Sequence, residues 1–139
     1  MGKHQGRVVL TADIVIEFDD GSIVLVKRKK NPFKGCWAIP GGIMEGDETI
    51  QETALREAKE ETGLDVTLTR IIGVYSNPDR DPRGRFVSVA FAALPIGGEL
   101  RASTDAAQVV KTKDYLKLKL AFDHHQILAD YNSQRGGKK

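Results

Sequence analysis

The chain is short of cysteine, of net charge and of long apolar runs, and each shortage excludes something. A single cysteine, Cys36, rules out an internal disulfide and fits a reducing compartment. Next to Trp37 it is expected to be a small packing residue. With 21 Lys and Arg against 19 Asp and Glu, a net charge of +2 gives no global electrostatic case for nucleic acid or membrane binding. No apolar run approaches the roughly 20 residues that a membrane-spanning helix needs. The N-terminus lacks the apolar core of a signal peptide, so the expected location is cytoplasmic. What is present is ordinary for a globular protein: 40% hydrophobic and 29% charged residues in a chain of 139. That length suits one domain with a real core, expected over residues 1–132. The segment SQRGGKK, 133–139, is expected to be a disordered basic tail. There is no internal repeat and no domain linker.

Residues 8–18, rich in β-branched and aromatic side chains, predict a strand. The turn Asp19-Asp20-Gly21 and a second strand, 23–28, predict a hairpin with it. That strand runs into Lys27, Arg28, Lys29 and Lys30. Alternating side-chain direction turns only some of these inward, and Lys29 and Lys30 are expected to be solvated. Trp37-Ala38-Ile39 predicts a short strand ended by Pro40-Gly41-Gly42. Further strands are expected at 66–75, 86–94 and 108–112, a turn at 95–98 and a second helix at 122–131.

The stretch 42–64, GIMEGDETIQETALREAKEETGL, organises the rest. Thr49 followed three residues later by Glu52 is a capping-box signal for a helix over 49–62. Ile50, Ala54, Leu55 and Ala58 give that helix an apolar side, and Gly63 stands where a left-handed cap is expected. Glu57, Glu60 and Glu61 fall on one edge of the stripe, within an arc of roughly 100°. Like charges at this spacing repel. A solvated acidic face is the common explanation of such a surface. The other is a counter-charge beyond Arg56, and hard oxygen donors suit a divalent cation.

The whole pattern decides between them. Gly42, Glu48, Arg56-Glu57, Ala58, Glu60-Glu61, Gly63 and Leu64 stand at the spacing of the Nudix box, which this 23-residue stretch resembles at every defined position. The resemblance implies an α/β protein: an α/β/α sandwich with a mixed sheet and a loop–helix–loop catalytic motif. It implies a hydrolase that cleaves phosphoanhydrides with Mg²⁺ or Mn²⁺. Such a reaction needs phosphate charge neutralised and a water aimed at phosphorus, and clustered carboxylates holding a metal supply both. By the resemblance, Glu60, Glu61 and the Gly41 carbonyl are metal ligands, and Glu57 is a ligand or the general base. Arg56 holds the glutamates in place, Glu48 supports the loop, and Gly42 and Gly63 are structural.

Substrate is to be read beyond the box. Arg80, Arg83 and Arg85 lie in a loop pinned by Pro78 and Pro82, where they could present donors to phosphate or ribose. The stretch VYSNPDRDPRGRFVSVAF is similar to the ADP-ribose pyrophosphatase branch, with Pro78 fifteen residues beyond Gly63. Leu120-Ala121-Phe122-Asp123-His124 resembles that branch too. Substrate contacts are therefore expected from Arg28, Arg80, Arg83, Arg85 and His124. Adjacent helix positions diverge by about 100°, so His125 is not expected to share the cleft. Phe33, Tyr75 and Phe122 could stack on a base, although core packing is the commoner role. The branch often carries a glutamate followed by an aromatic near Gln108. Gln108-Val109 offers neither, and the nearby Asp105 is expected to be a turn residue. The implied reaction is ADP-ribose, or a related nucleoside diphosphate-sugar, to AMP and a sugar phosphate. The rivals are an 8-oxo-dGTP-type triphosphate pyrophosphohydrolase and a non-catalytic ADP-ribose sensor. The resemblance also implies a homodimer.

Overall fold

The computed structural model describes residues 6–104 and 106–136, so Asp105 lies outside the described residues. Seven strands and two helices follow in order: β1 Val9–Ile16, β2 Ile23–Arg28, β3 Trp37–Ala38, β4 Gly41–Ile43, α1 Ile50–Thr62, β5 Leu64–Tyr75, β6 Phe86–Gly98, β7 Ala106–Thr112 and α2 His124–Gly136. A 3-10 turn, Tyr115–Lys117, precedes α2. The strands form two sheets, β4-β1-β6-β5 and β3-β2-β7. β1 runs parallel to β6 and antiparallel to β4, so the larger sheet is mixed.

The expected hairpin between the first two strands does not form. β1 and β2 meet only at the Glu17–Ile23 bridge and then diverge into different sheets. The cause lies in their side chains. From Ala12 to Ile16, β1 is buried on both faces, as β2 is from Ile23 to Val26. A strand buried on both faces is stable only as an interior strand with both edges paired.

Two apolar clusters cover the two faces. Ala54 and Ala58 of α1 pack with Ala12, Ile14, Ile16, Leu64, Val66 and Phe91. Ile127, Leu128 and Tyr131 of α2 pack with Val15, Leu25, Ile39, Ile72 and Ala90. This is the α/β/α sandwich that the resemblance implies.

The ends of α1 follow their predicted chemistry. Thr49 Oγ1 accepts from Glu52 N–H at 3.1 Å and Glu52 Oε1 accepts from Thr49 N–H at 2.8 Å. Gly63 closes the helix at φ 80°. Leu55 is 42% exposed, off the buried stripe. Elsewhere the boundaries move. Residues 95–98, expected as a turn, extend β6 and pair with the start of β5. α2 continues past Tyr131 to Gly136, into the segment expected to be a disordered tail, and residues 137–139 lie outside the described residues.

Candidate active site

A cleft of about 920 Å³ opens where β1, β2, β4 and α1 meet the 76–85 loop, residues 101–104, Ala106 and the start of α2. Its acidic lining is Asp13, Glu45, Glu57, Glu60, Glu61 and Asp81. Its basic lining is Lys27, Arg28, Lys29, Lys30, Arg80, Arg83 and Arg101.

Arg56 organises the acidic side from α1. Its Nε donates to Glu48 Oε2 at 2.6 Å, Nη2 to Glu48 Oε1 at 3.1 Å and to the Ile43 carbonyl at 3.0 Å. Nη1 donates to Glu57 at 2.9 Å and to Glu60 at 3.3 Å. The guanidinium holds the Glu48 carboxyl down to about 2, helped by the Glu45 N–H. Glu57 is pushed up by burial in spite of Arg56. For Glu61, burial first, and the charge of Glu57 second, push the carboxyl up to about 8 against a weaker opposing pull from Arg28. Among the described residues that carboxyl accepts from the Gly41 N–H, at 3.4 Å.

Gly41 faces this side for a reason of register. Pro40 accepts from Ile14 N–H, and Asp13 lies opposite Gly41 in the β1–β4 pair. Gly41 is therefore at a non-hydrogen-bonded position, and its N–H and C=O both point away from β1. Gly41 is forced by backbone contact, and Gly42 leaves room for a side chain. A Cβ on Gly41 would overlap the Ala12 carbonyl and the Asp13 carboxylate, and one on Gly42 would overlap the Glu57 carboxylate.

Among the described residues no three His, Cys, Asp or Glu side chains converge in a ready-made metal cage. Glu57 and Glu60 turn toward Arg56 instead. The donor set still fits a hard divalent cation. Glu57 and Glu61 are like charges in one pocket, both pushed up, and Arg56 reaches only the first. Positive charge supplied at that point would relieve both.

Sequence reasoning placed the arginines unevenly. Arg28 lines the cleft, its Nε on the Pro32 carbonyl at 2.7 Å and its guanidinium 5.0 Å from the Phe122 ring centre. Arg83 lines it as well, paired at two points with Asp81 and 5.5 Å from the same ring. Arg80 also borders the cleft, but its side chain is only 5% exposed and is locked to Asp123 at 2.8 and 2.7 Å. That pair ties the loop to α2. Arg85 is not brought to the cleft; it donates to the Ser76 carbonyl. His124 lines the cleft but its Nδ1 accepts the Ile39 N–H at 3.0 Å, which makes it a backbone partner rather than a free donor. His125 is exposed, as expected.

Asp13 was missed. It is 7% exposed at the floor of the cleft, accepting from Ser88 Oγ at 2.6 Å and lying 3.7 Å from His124 Nε2. The signal was a lone carboxylate inside an apolar strand, where an unpartnered charge is costly.

Comparison with known proteins places the fold in a family. The NUDIX domain family model matches residues 8–131. An ADP-ribose pyrophosphatase of Methanocaldococcus jannaschii is 48% identical over 92% of this chain and 75% of its own length. An ADPR responsive transcriptional repressor, NtrR, of Acinetobacter baylyi is 34% identical over 86% of this chain, which spans about half (51%) of that protein. The crystal structure of a bifunctional NMN adenylyltransferase/ADP ribose pyrophosphatase of Francisella tularensis, complexed with AMP and a Mn ion, superposes with a TM-score of 0.81 at 30% identity. That match covers 92% of this chain and 42% of the other.

Proposed function

The chain belongs to the Nudix hydrolase family, and on that premise we propose that it hydrolyses the diphosphate bond of ADP-ribose, or of a related nucleoside diphosphate-sugar, to AMP and a sugar phosphate. The observation that carries the reading is the joint burial of Glu57 and Glu61 in a cleft that also presents Arg28 and Arg83. Similarity to an ADP-ribose pyrophosphatase supports the choice of substrate.

Glu57, Glu60, Glu61 and the Gly41 carbonyl would hold the divalent cation, Mg²⁺ or Mn²⁺. When bound, the cation neutralises phosphate charge and lowers the pKa of a coordinated water. The chain supplies the rest. Arg56 and Glu48 keep Glu57 aimed into the cleft, and Gly42 leaves room for its carboxylate. Arg28 and Arg83, seated against Phe122, take the diphosphate oxygens by charge-assisted hydrogen bonds. As ligand, Glu57 would help hold the cation; as base, it would take the proton of the attacking water while that water's oxygen bonds to phosphorus and the bridging oxygen leaves with the other phosphate. Gly63 and the Thr49–Glu52 box fix the helix that carries all three glutamates.

The reading extends to a homodimer in the cytoplasm. Ile71, Val74 and Ile96, more than half exposed on the β5–β6 side, support the first. The lone buried Cys36 supports the second. Likeness to an ADPR responsive repressor favours one other reading, a sensor that binds ADP-ribose without cleaving it.

Incubation with Mg²⁺ and, separately, ADP-ribose, ADP-glucose, diadenosine polyphosphates and 8-oxo-dGTP tests the reaction, its substrate and the sensor reading. AMP released fastest from ADP-ribose is the expected result. Pyrophosphate from 8-oxo-dGTP, with ADP-ribose untouched, would overturn the substrate. ADP-ribose bound but uncleaved would establish the sensor.

A further inference from the structure

The entry into α2 begins as a short parallel partner of β3. Trp37 N–H donates to the Lys119 carbonyl at 2.9 Å, and Ala121 N–H to the Trp37 carbonyl at 2.8 Å, the two bonds of a bridge between Trp37 and Leu120. Continued by one step, this ladder would place the Ile39 N–H on the Ala121 carbonyl. Phe122 breaks it. With φ at 52°, it turns the chain, and the Ala121 carbonyl accepts from His124 N–H at 3.0 Å instead.

Ile39 is 3% exposed, so water does not serve its amide. A buried N–H without a partner is costly. The His124 imidazole takes the place of the missing carbonyl, with Nδ1 accepting from Ile39 at 3.0 Å. A ring nitrogen that accepts carries no proton, so the proton is on Nε2, which faces Asp13 Oδ1 at 3.7 Å. Burial pulls the imidazole below the ordinary histidine range, against the charges of Asp13 and Asp123.

The bond falls two residues before Gly41. On the other flank Pro40 is held by Ile14 N–H at 2.8 Å, and the Asp13 carboxylate fills the space where a Gly41 Cβ would stand. We propose that His124 is a positioning residue for the Gly41 carbonyl, setting through the Ile39 amide the direction in which that carbonyl meets the divalent cation. The inference rests on the metal reading above, and it gives His124 a role in place of the substrate contact expected from the sequence.

The test compares wild type with His124→Asn, His124→Gln and His124→Ala. Asparagine puts an amide oxygen close to where Nδ1 stands, glutamine carries it one bond too far, and alanine removes it. Mn²⁺ binding is titrated by electron paramagnetic resonance without substrate, with circular dichroism to verify the fold. His124→Gln and His124→Ala should bind Mn²⁺ about 10-fold to 100-fold more weakly, and His124→Asn should stay close to wild type. A folded His124→Gln with wild-type affinity would overturn the proposal. So would a folded His124→Asn as weak as alanine. If the alanine variant does not fold, the asparagine–glutamine contrast decides. Wild-type protein that binds no Mn²⁺ would overturn the metal reading and this one with it; wild-type binding that no variant alters would overturn this one alone.

Discussion

Arg56 grips Glu48 at two points, Nε to Oε2 at 2.6 Å and Nη2 to Oε1 at 3.1 Å, and this fixes where its third nitrogen aims. That nitrogen, Nη1, reaches Glu57 at 2.9 Å. Lysine cannot reproduce the fork. Arg56→Lys should therefore fold and lose about 10-fold to 100-fold in kcat, the size of effect seen when a residue orienting a metal ligand is changed. Steady-state kinetics beside a thermal melt would check it; undiminished kcat would show that Glu57 needs no such guide.

The same pair has an acid signature. Glu48 is held down to about 2 from an ordinary 4.5. A carboxyl with a depressed folded-state pKa stabilises the fold above its unfolded value, and that contribution is lost as pH falls toward the folded one. Wild type should thus lose stability between pH 4.5 and 2 more steeply than Glu48→Gln. Thermal unfolding of the two proteins across that range is the measurement, and parallel curves would refute the pairing.

Glu61 behaves in the opposite sense. Burial and the charge of Glu57 raise it to about 8 from 4.5, so the folded protein holds a proton that the unfolded chain has released. Without metal, stability should fall as pH rises from 4.5 to 8. Glu61→Gln removes that slope. At the upper end of that range it should be more stable than wild type by up to a few kcal/mol, because each pH step of one between the two values is worth about 1.4 kcal/mol. Near the lower end the two proteins should melt alike. The variant should be nearly inactive. Loss of stability together with activity would instead make Glu61 a structural residue.

The loop arginines separate by what they touch. Arg80 is buried but Asp123 is 23% exposed, so losing the pair should cost about 1.5–3 kcal/mol, the worth of a charge-assisted bond, rather than the full penalty of a buried pair. Arg80→Ala should lower stability on that scale, while Arg85→Ala, which gives up a bond to the Ser76 carbonyl outside the cleft, should change neither stability nor KM. Arg28→Ala and Arg83→Ala should raise KM by about tenfold or more, each losing a charge-assisted bond worth about 1.5–3 kcal/mol. An unchanged KM in both would remove them from the substrate site.

These contrasts show which parts of the molecule were legible before its folding. The capping box and Gly63 are local signals, and α1 obeys them because each bond spans only a few residues. Helix periodicity puts the three glutamates on one edge, and the resemblance to the Nudix box is what makes them expected ligands. The β1–β2 separation is different: the turn predicts a hairpin locally, and it is overruled by strands that need partners on both edges. Arg80 and Arg85 could not be sorted from sequence, because Asp123 and the Ser76 carbonyl are brought to them by the fold, whereas the Arg83–Asp81 pair is local to the loop. His124 escaped for the same reason. Its partner is a backbone amide 85 residues away, which no side-chain pattern marks.

Two glycines of the box make the division between chemistry and fold measurable. A Cβ on Gly42 would meet the end of the Glu57 side chain, which is able to move aside. A Cβ on Gly63 would meet the Glu99 backbone carbonyl, which is not, and φ of 80° adds strain of about 1–3 kcal/mol for a residue with a side chain. Gly42→Ala should therefore melt near wild type while losing most of its activity, since the displaced carboxylate is the proposed ligand or base. Gly63→Ala should do the reverse: the population that remains folded keeps its turnover, but the melting temperature drops by several degrees. Melting curves and active-site-normalised kcat for the two variants would settle the matter. An active Gly42→Ala would mean that the position of Glu57 is not what the reaction requires.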